Sequence, residues 1–244
     1  FIDLHEKGLI YKGVRMVNWD SEAQTAVSDE EVIYKEIDSK LFHISYQIEN
    51  ENEKVIVATT RPETILGDTA ICVNPKDKRY SNLVGKNVYV PLINRKIPII
   101  SDEYVDMEFG TGALKITPAH DINDYEIGYR HKLETIDILN NDGTLNEKAK
   151  LFVGTDRFKA RELIVEELKQ NNHLVKIENH KNKVGFSERT NSIIEPKLSM
   201  QWFLKMDKIS KPGLDNVING NIKFHPEKFI NTYKPVSYTH LRAH

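Results

Sequence analysis

Cysteine is nearly absent from this sequence. Cys72 is the single cysteine among 244 residues, which excludes a disulfide framework or a thiolate zinc site and fits a reducing cytosol. No apolar run approaches the roughly 20 residues that a membrane-spanning helix needs, so no membrane partner is expected. Neither sign of charge dominates, since 34 Lys and Arg face 36 Asp and Glu, a formal net charge of −2. Coating of nucleic acid by bulk charge is therefore excluded, whereas a local contact with nucleic acid stays open.

The start of the chain also lacks familiar signals. Its first seven residues, FIDLHEK, contain no Met, no basic stretch and no apolar segment of a signal peptide. We therefore expect a cytoplasmic protein and interpret the chain as a fragment of a longer one. It would begin in the last turns of a helix that ends near Gly8. With 39% hydrophobic and 29% charged residues, the composition is that of an ordinary soluble protein.

Many short strands and two helices are predicted. The clearest strand covers residues 41–49, where apolar and polar side chains alternate. Further extended segments are predicted at 14–19, 31–37, 55–58, 70–73, 88–91, 97–100 and 113–116. The helices are expected at 122–131, with Asp121 as N-cap, and at 157–170, with Asp156 as N-cap. This pattern predicts an α+β fold in which a curled, barrel-like sheet carries a few peripheral helices.

One polar segment, Thr59-Thr60-Arg61-Pro62-Glu63-Thr64, follows the predicted buried strand at 55–58. It gathers three hydroxyls and a guanidinium, and Pro62 can begin a helical turn that Gly67 ends. On spacing alone, a capped turn with an exposed arginine is the favoured interpretation. A binding site at the mouth of the strand is the alternative.

A second segment, FGTGALKITPAHD, spans residues 109–121. Its Gly-Thr-Gly turn lets a ligand approach the backbone, but it is not a phosphate-binding P-loop because Lys115 lies in the following strand. If that strand alternates, Lys115 and Thr117 share one face. Taken alone, Lys115 is more simply interpreted as a solvated edge residue than as a cation in a site.

A third segment opens the first predicted helix. Capping of free N–H groups accounts for Asp121, whereas Asp124 could close a capping box or face a cationic ligand group. His120 beside Asp121 suggests a hydrolase, but no nucleophile elbow exists, since Arg189 stands where the glycine after Ser187 is required. A zinc site made of His120, Asp121 and His131 has no standard ligand spacing, so no metal is predicted.

Taken together, these segments resemble the valyl-tRNA synthetases. ATTRPETILGDTA (58–70) resembles the family's threonine-rich editing peptide, and residues 102–125 (DEYVDMEFGTGALKITPAHDINDY) and NDGT (141–144) follow in the family's order. VNWD (17–20) resembles the outgoing connection, and 186–206, with SERT and QWF, resembles the return to a Rossmann catalytic domain. Isoleucyl and leucyl synthetases share this architecture, but the spellings TPAHD and RPET favour the valyl type.

The resemblance implies a domain organisation. Residues 1–37 would form a connector from the catalytic domain, 38–185 the editing domain, and 186–233 the return connector. The HIGH and KMSKS signatures that bind ATP in the family are absent, so ATP and Mg are expected for the parent valine–tRNA ligase and no cofactor for editing. Residues 234–244 depart from the family pattern and are predicted to be a non-native tail.

The resemblance also implies an aminoacyl-tRNA deacylase. Valyl enzymes are themselves the usual example of limited selectivity, because an apolar pocket rejects threonine only about a hundredfold. The expected reaction is hydrolysis of the ester in threonyl-tRNA(Val) by a monomer that binds the mischarged 3′ end of tRNA.

Roles for individual residues come from the same resemblance. Asp124 would bind the substrate ammonium, Asp121 and Thr117 would recognise the threonine hydroxyl, and Lys115 would hold substrate or developing negative charge. Phe109 would stack on the terminal adenine. The ester, the terminal ribose and a water would be positioned by a guanidinium and three hydroxyls, those of Arg61, Thr59, Thr60 and Thr64.

Two alternatives stay open. The chain could be an editing domain of leucyl or isoleucyl type. It could instead be a tRNA-binding module without hydrolytic activity, in which the basic runs at 130–132 and 181–183 touch phosphates. Hydrolysis of a mischarged tRNA would separate these alternatives.

Overall fold

The computed structural model describes residues 1–239, which divide into two compact units. The larger unit is Met16–Leu198, and the smaller one combines Phe1–Arg15 with the chain from Ser199 onward. The predicted functional boundaries at 37/38 and 185/186 do not coincide with this division and stay a prediction. Of the predicted tail at 234–244, residues 240–244 lie outside the described part of the chain.

The elements run as follows along the chain. They are α1 (Ile2–Glu6), β1 (Ile10–Asp20), β2 (Thr25–Val27), β3 (Val32–Ile48), β4 (Lys54–Thr59), β5 (Ala70–Val73), β6 (Asn87–Val90), β7 (Arg95–Ser101), β8 (Ala113–Ile116), α2 (Ile122–His131), α3 (Arg157–Gln170), β9 (Leu174–Ser187), β10 (Glu195–Leu204), α4 (Met206–Ile218) and α5 (Ile230–Thr239). Short 3-10 turns lie at Asp29–Glu31, Pro62–Gly67, Glu147–Ala149 and Glu227–Phe229.

The predicted α+β class with a curled sheet is confirmed. A seven-stranded sheet has the order β4-β3-β6-β7-β5-β8, and β9 pairs with β3. The two strands at the ends of this path, β4 and β8, lie beside each other. The Thr111 hydroxyl just before β8 donates to the Ile56 carbonyl in β4, at 2.6 Å. The sheet therefore curls until its ends meet, which is the barrel-like shape that the strand pattern predicts.

The core of the larger unit fills this curl. Alternate residues of β3 point inward, and Ile44, Tyr46 and Ile48 are fully buried. Helix α3 covers the core with the apolar stripe that its 3.6-residue period predicts, since Ala160, Ile164 and Leu168 are also fully buried. Burial of these side chains fixes the register of β3 against β4, since a shift of one residue would turn the apolar face outward.

Both predicted helices are confirmed to the residue, and so are their caps. The Asp121 carboxylate accepts from the N–H groups of Asn123 and Asp124, and the Asp156 carboxylate caps α3 in the same way. Helix α1 agrees with the expected helix end before Gly8, whereas α4 and α5 were not predicted. In the smaller unit, α4 buries Leu214 and Val217. No helix in residues 1–239 is long and apolar enough to cross a membrane.

The strand prediction missed β2, β9 and β10 and divided β3. The predicted segments 31–37 and 41–49 belong to one 17-residue strand, which β9 accompanies from Val32 to Ile44. The β9 sequence, LVKIENHKNKVGFS, has polar or charged residues on both faces because most of this ribbon stands away from the core. Without a buried face, the sequence carries no period-two signal of hydrophobicity.

Candidate functional site

Two chain segments meet where β4 and β8 come together. The turn Pro62–Gly67 follows β4, and the start of α2 follows β8. They enclose a cavity of about 130 Å³. Its lining residues are Ala58, Thr59, Thr60, Arg61, Thr64, Leu114, Lys115, Thr117, His120, Asp121 and Asp124. Eight of the nine residues predicted for the site therefore line one cavity.

Lys115 lies inside the curled sheet. It is only 7% exposed, and its Nζ donates to Thr117 Oγ1 at 2.5 Å and to Asp68 Oδ1 at 3.3 Å. The simpler interpretation of Lys115 as a solvated edge residue is thus wrong. The strand alternates as predicted, but the face that carries Lys115 and Thr117 is the inner one.

Asp68 is a member of this cluster that sequence reasoning missed. Its fully buried carboxylate accepts from the Thr117 hydroxyl at 2.6 Å and from the Tyr46 hydroxyl at 2.6 Å, in addition to Lys115. Burial raises the pKa of Asp68, although the Lys115 charge and the two hydroxyls oppose the shift. The available signal was an aspartate in the middle of an otherwise apolar run, ILGDTAICV (65–73).

The Thr117 hydroxyl is already engaged on both sides. It donates its proton to Asp68 and accepts from Lys115, so in this arrangement it has no proton left to offer a ligand. Lys115 uses two of its three N–H groups in these contacts. Of this pair, Lys115 is therefore the one that can still donate.

Asp124 lies in the first turn of α2, on the side of the helix that is buried. Its Oδ2 accepts from the Thr117 backbone N–H at 2.8 Å, and the residue is 5% exposed. Burial raises the pKa of Asp124 to about 7. Lys115 and the Thr117 N–H oppose that rise, whereas the nearby Asp121 and Asp68 add to it. Asp124 can therefore gain or lose a proton near neutral pH.

Arg61 is held on three sides. Its Nε donates to Glu63 at 3.0 Å, Nη1 to the His120 carbonyl at 3.2 Å and Nη2 to Glu195 at 2.6 Å. The side chain is 26% exposed, so the expectation of an exposed arginine on a capped turn is wrong. A local pattern could not indicate this, because Glu195 is 134 residues away in the chain.

The threonines of the same segment stabilise the turn as the favoured interpretation predicts. Thr59 Oγ1 accepts from the Arg61 N–H at 3.0 Å, and the Thr64 hydroxyl donates to the Arg61 carbonyl at 3.0 Å. Pro62 stands at the first position of the turn, as predicted. Thr60 is half-buried and lines the cavity. The capped turn and the cavity wall are therefore the same structure.

His120 is held as a hydrogen-bond acceptor. Its Nε2 accepts from the Ile138 backbone N–H at 3.1 Å, deep in the protein. Burial lowers its pKa, and the charges of Arg61, Lys115 and Lys197 lower it further. A neutral imidazole whose Nε2 lone pair is occupied is poorly suited to act as a general base. No group of three or more metal-ligating side chains occurs in the described residues.

A second, larger cavity of about 320 Å³ adjoins the first. The two share Ala58, Leu114, Asp121 and Asp124. Phe109 lines the larger one, is 53% exposed, and meets His180 edge-on with ring centroids 6.3 Å apart. The site thus has a small polar chamber and a larger chamber with an aromatic wall, joined at two carboxylates.

Two glycines shape the loop that precedes β8. Gly112 has a φ of +78°, and a Cβ there would stand 2.9 Å from the Met107 carbonyl. Gly110 also has positive φ, and its Cβ would come within 2.8 Å of Ala58. The positive φ and the close contacts therefore require glycine at both positions.

Comparison with known proteins adds a family relationship. Residues 1–237 match the family described as class I tRNA synthetases (I, L, M and V). The chain is 59% identical over 235 residues to the valine–tRNA ligase of Porphyromonas gingivalis, an alignment that covers 96% of this chain and 27% of that protein. Identity to the valine–tRNA ligases of Bacteroides fragilis and Staphylococcus carnosus is 57% and 50% over 234 residues, with the same coverage. The chain thus spans 27% of the length of these relatives.

Among solved structures, the chain is similar to the agnB2 LeuRS of Agrobacterium radiobacter K84, which was crystallised as a ternary complex with tRNA and LeuAMS. The sequence identity is 17% and the TM-score 0.46, over 80% of this chain and 32% of that one. At this score the likeness supports no argument about the site.

Proposed function

The chain belongs to the class I tRNA synthetases (I, L, M and V), and within that family we propose that it is the editing region of a valine–tRNA ligase. The proposed reaction is hydrolysis of the ester that joins threonine to the 3′-terminal ribose of tRNA(Val). The observation that supports it best is the small chamber, in which Asp121, Asp124 and Lys115 meet the threonine-rich turn.

The substrate ammonium is the proposed partner of Asp124. Three carboxylates, those of Asp68, Asp121 and Asp124, lie around the single ammonium of Lys115, so the free site has an excess of negative charge. Burial, with a smaller contribution from the negative charges of Asp121 and Asp68, raises the pKa of Asp124 to about 7 in spite of Lys115. An incoming ammonium would supply the missing cation and favour the ionised form of Asp124.

Selection of threonine would follow from hydrogen bonding. Asp121 can accept from the threonine hydroxyl, because its carboxylate lines both chambers. The Thr117 hydroxyl donates its proton to Asp68, so it could only accept a hydrogen bond from the threonine hydroxyl. We therefore assign the discrimination of threonine from valine chiefly to Asp121. Valine would fill the same space but leave these polar groups without a partner, at about 1–3 kcal/mol for each group.

Hydrolysis itself needs little more than positioning. A water oxygen would form a bond to the ester carbon, the bond from that carbon to the ribose oxygen would break, and the proton of the water would pass to the departing ribose oxygen. The remaining N–H of Lys115 would donate to the carbonyl oxygen as it gains charge. Because an aminoacyl ester is already activated, alignment of the water accounts for the reaction without a covalent nucleophile.

The larger chamber is the proposed place of the terminal adenosine. Phe109 offers an exposed ring at its wall, on which an adenine can stack. ATP and Mg would serve the synthetic reaction in the part of the relatives that this chain does not span. The described residues do not fit ATP or Mg, since they contain no cluster of metal-ligating side chains. The sequence also lacks both the HIGH and the KMSKS signature that bind ATP in the family. A monomer in the cytoplasm remains the expected state.

The test is single-turnover deacylation. The chain, in excess and at several concentrations, is mixed with threonyl-tRNA(Val) or with valyl-tRNA(Val), and loss of the ester is followed. We expect hydrolysis of the threonyl ester at least tenfold faster than that of the valyl ester. Binding of the 3′ end without hydrolysis would instead support a tRNA-binding module, and preference for a different mischarged tRNA would support leucyl- or isoleucyl-type editing.

A further inference from the structure

Glu195 joins two arginines in the interior of the larger unit. It is the first residue of β10, and its side chain is 5% exposed. Its Oε2 accepts from Arg61 Nη2 at 2.6 Å. Its Oε1 lies 2.9 Å from Arg157 Nε, a charge contact whose geometry is not that of a hydrogen bond. The carboxylate of Glu195, three residues before the larger unit ends at Leu198, thus holds Arg61 of the candidate site.

The other side of Arg61 is held by a second carboxylate. Glu63 accepts from Arg61 Nε and, through both oxygens, from Arg161 of α3 at 2.8 and 2.9 Å. Burial alone would lower the pKa of Arg61, but the charges of Glu195 and Glu63 more than reverse that effect. The guanidinium is therefore fixed as a cation between two anions, with little freedom to rotate.

This arrangement leaves a defined part of Arg61 available. The contacts within the described residues use three of its five N–H groups, one on Nε and one on each Nη. The other Nη N–H groups belong to a side chain that lines the small chamber. They can donate to an oxygen of a ligand, provided that the guanidinium keeps its orientation.

We propose that Glu195 is a positioning residue for editing, which holds Arg61 so that its remaining N–H groups donate to an oxygen of the tRNA-linked ester. This inference rests on the proposed function. It also extends the site to a residue beyond the predicted editing domain at 38–185. Glu195 touches neither the ester nor the water, so its effect on the reaction passes through Arg61.

The test compares deacylation of threonyl-tRNA(Val) by the wild-type chain, Glu195→Gln, Arg61→Lys and the double variant. Glu195→Gln keeps the shape and an acceptor oxygen but removes the charge that orients Arg61. Complete removal of one hydrogen-bond donor to a developing oxyanion lowers the rate by about 10²–10³. Because Glu195→Gln only misplaces such a donor, we expect the maximal single-turnover rate to fall less, by about tenfold. Arg61→Lys should lose more, and the double variant should lose no more than Arg61→Lys alone.

A matched control is Glu31→Gln, which breaks another carboxylate–arginine pair, with Arg189 at 2.6 Å, away from the chambers. It should leave the maximal rate within twofold of wild type. Thermal melting of every variant identifies the temperature at which all are folded, and rates are compared there.

The outcomes are separable. A Glu195→Gln variant that melts lower but hydrolyses at the wild-type rate would overturn the inference. So would a double variant whose loss equals the product of the two single losses, because Glu195 would then act independently of Arg61. Failure of the wild-type chain to hydrolyse the ester at any concentration would refute the proposed function itself.

Discussion

Replacement of Asp124 by Asn should change activity and stability in opposite directions. Asparagine has the same shape, and its amide oxygen can still accept the Thr117 N–H that Asp124 now accepts at 2.8 Å. The variant therefore keeps the cap geometry of α2 and loses only the negative charge. That charge is the proposed partner of the substrate ammonium, and burial makes it costly in the free site.

The expected loss of activity follows from the removed interaction. A hydrogen bond to a charged group contributes about 1.5–3 kcal/mol, which corresponds to roughly 10- to 150-fold in rate under subsaturating conditions. The measurement is deacylation of threonyl-tRNA(Val), with Glu126→Gln as the matched control. Glu126 lies on the same helix but is exposed, so its loss of charge should leave the rate unchanged within about twofold.

The expected effect on stability has the reverse sign. Asp124 has a pKa of about 7 in the folded protein and an ordinary value of 3.8. Between these values the folded chain keeps a proton that the unfolded chain has released, so stability falls as the pH rises from about 4 to about 7. The slope from this one group is at most about 1.4 kcal/mol per pH unit. Asn cannot ionise and removes that slope.

Urea unfolding of the wild type and of Asp124→Asn at pH 5 and pH 8 measures this difference. The stability of the variant relative to wild type should increase between the two pH values. Other titrating groups, including Asp68, are common to both proteins and largely cancel in the comparison. Equal stability differences at both pH values would refute the assignment of Asp124, and wild-type deacylation by the variant would refute its role with the ammonium.

Four further predictions test other parts of the site. The wild-type deacylation rate, measured across pH, should rise through about pH 7 as Asp124 ionises and fall again where the substrate amine loses its proton; a flat profile would contradict this. Lys115→Met should destabilise the chain by about 3–5 kcal/mol in urea unfolding, because Asp68 loses its cation, and Asp68→Asn in the same chain should recover part of that loss rather than add to it. Gly112→Ala should cost more than about 1 kcal/mol in the same assay, since its Cβ would stand 2.9 Å from a carbonyl at positive φ, and unchanged stability would argue against the loop geometry. Phe109→Ala, at an exposed ring, should leave the melting temperature unchanged but weaken binding of the tRNA 3′ end by about 1–3 kcal/mol, as measured by the concentration dependence of deacylation.

The local structure around the site was predictable because its signals are local. Asp121 and Asp156 cap helices that begin at the next residue, and Pro62 begins a turn that Gly67 ends. Each of these features depends on neighbours within a few positions. The family resemblance rests on short motifs of the same kind, and the identities to valine–tRNA ligases confirm it.

What the sequence could not indicate is which side of the sheet faces inward and what lies across from it. Lys115 looks like an edge lysine until the meeting of β4 and β8 encloses it. Asp68 is 47 residues from Lys115 along the chain, and Glu195 is 134 residues from Arg61. No periodicity links such positions, since the contacts arise only when the curled sheet and β10 are in place.

The distribution of charge explains why these distant contacts matter for the proposed chemistry. Arg61 and the aspartates line the same small chamber, and a free guanidinium there could pair with Asp121 or Asp124. Such a pair would supply the cation that the site lacks and would compete with the substrate ammonium. Glu63 and Glu195 instead pair with Arg61 through Nε and Nη2, so the deficit of positive charge persists until a ligand brings its own. On this argument, Glu195→Gln should also lower the pKa of Asp124, and the rising limb of its pH–rate profile should shift below that of wild type.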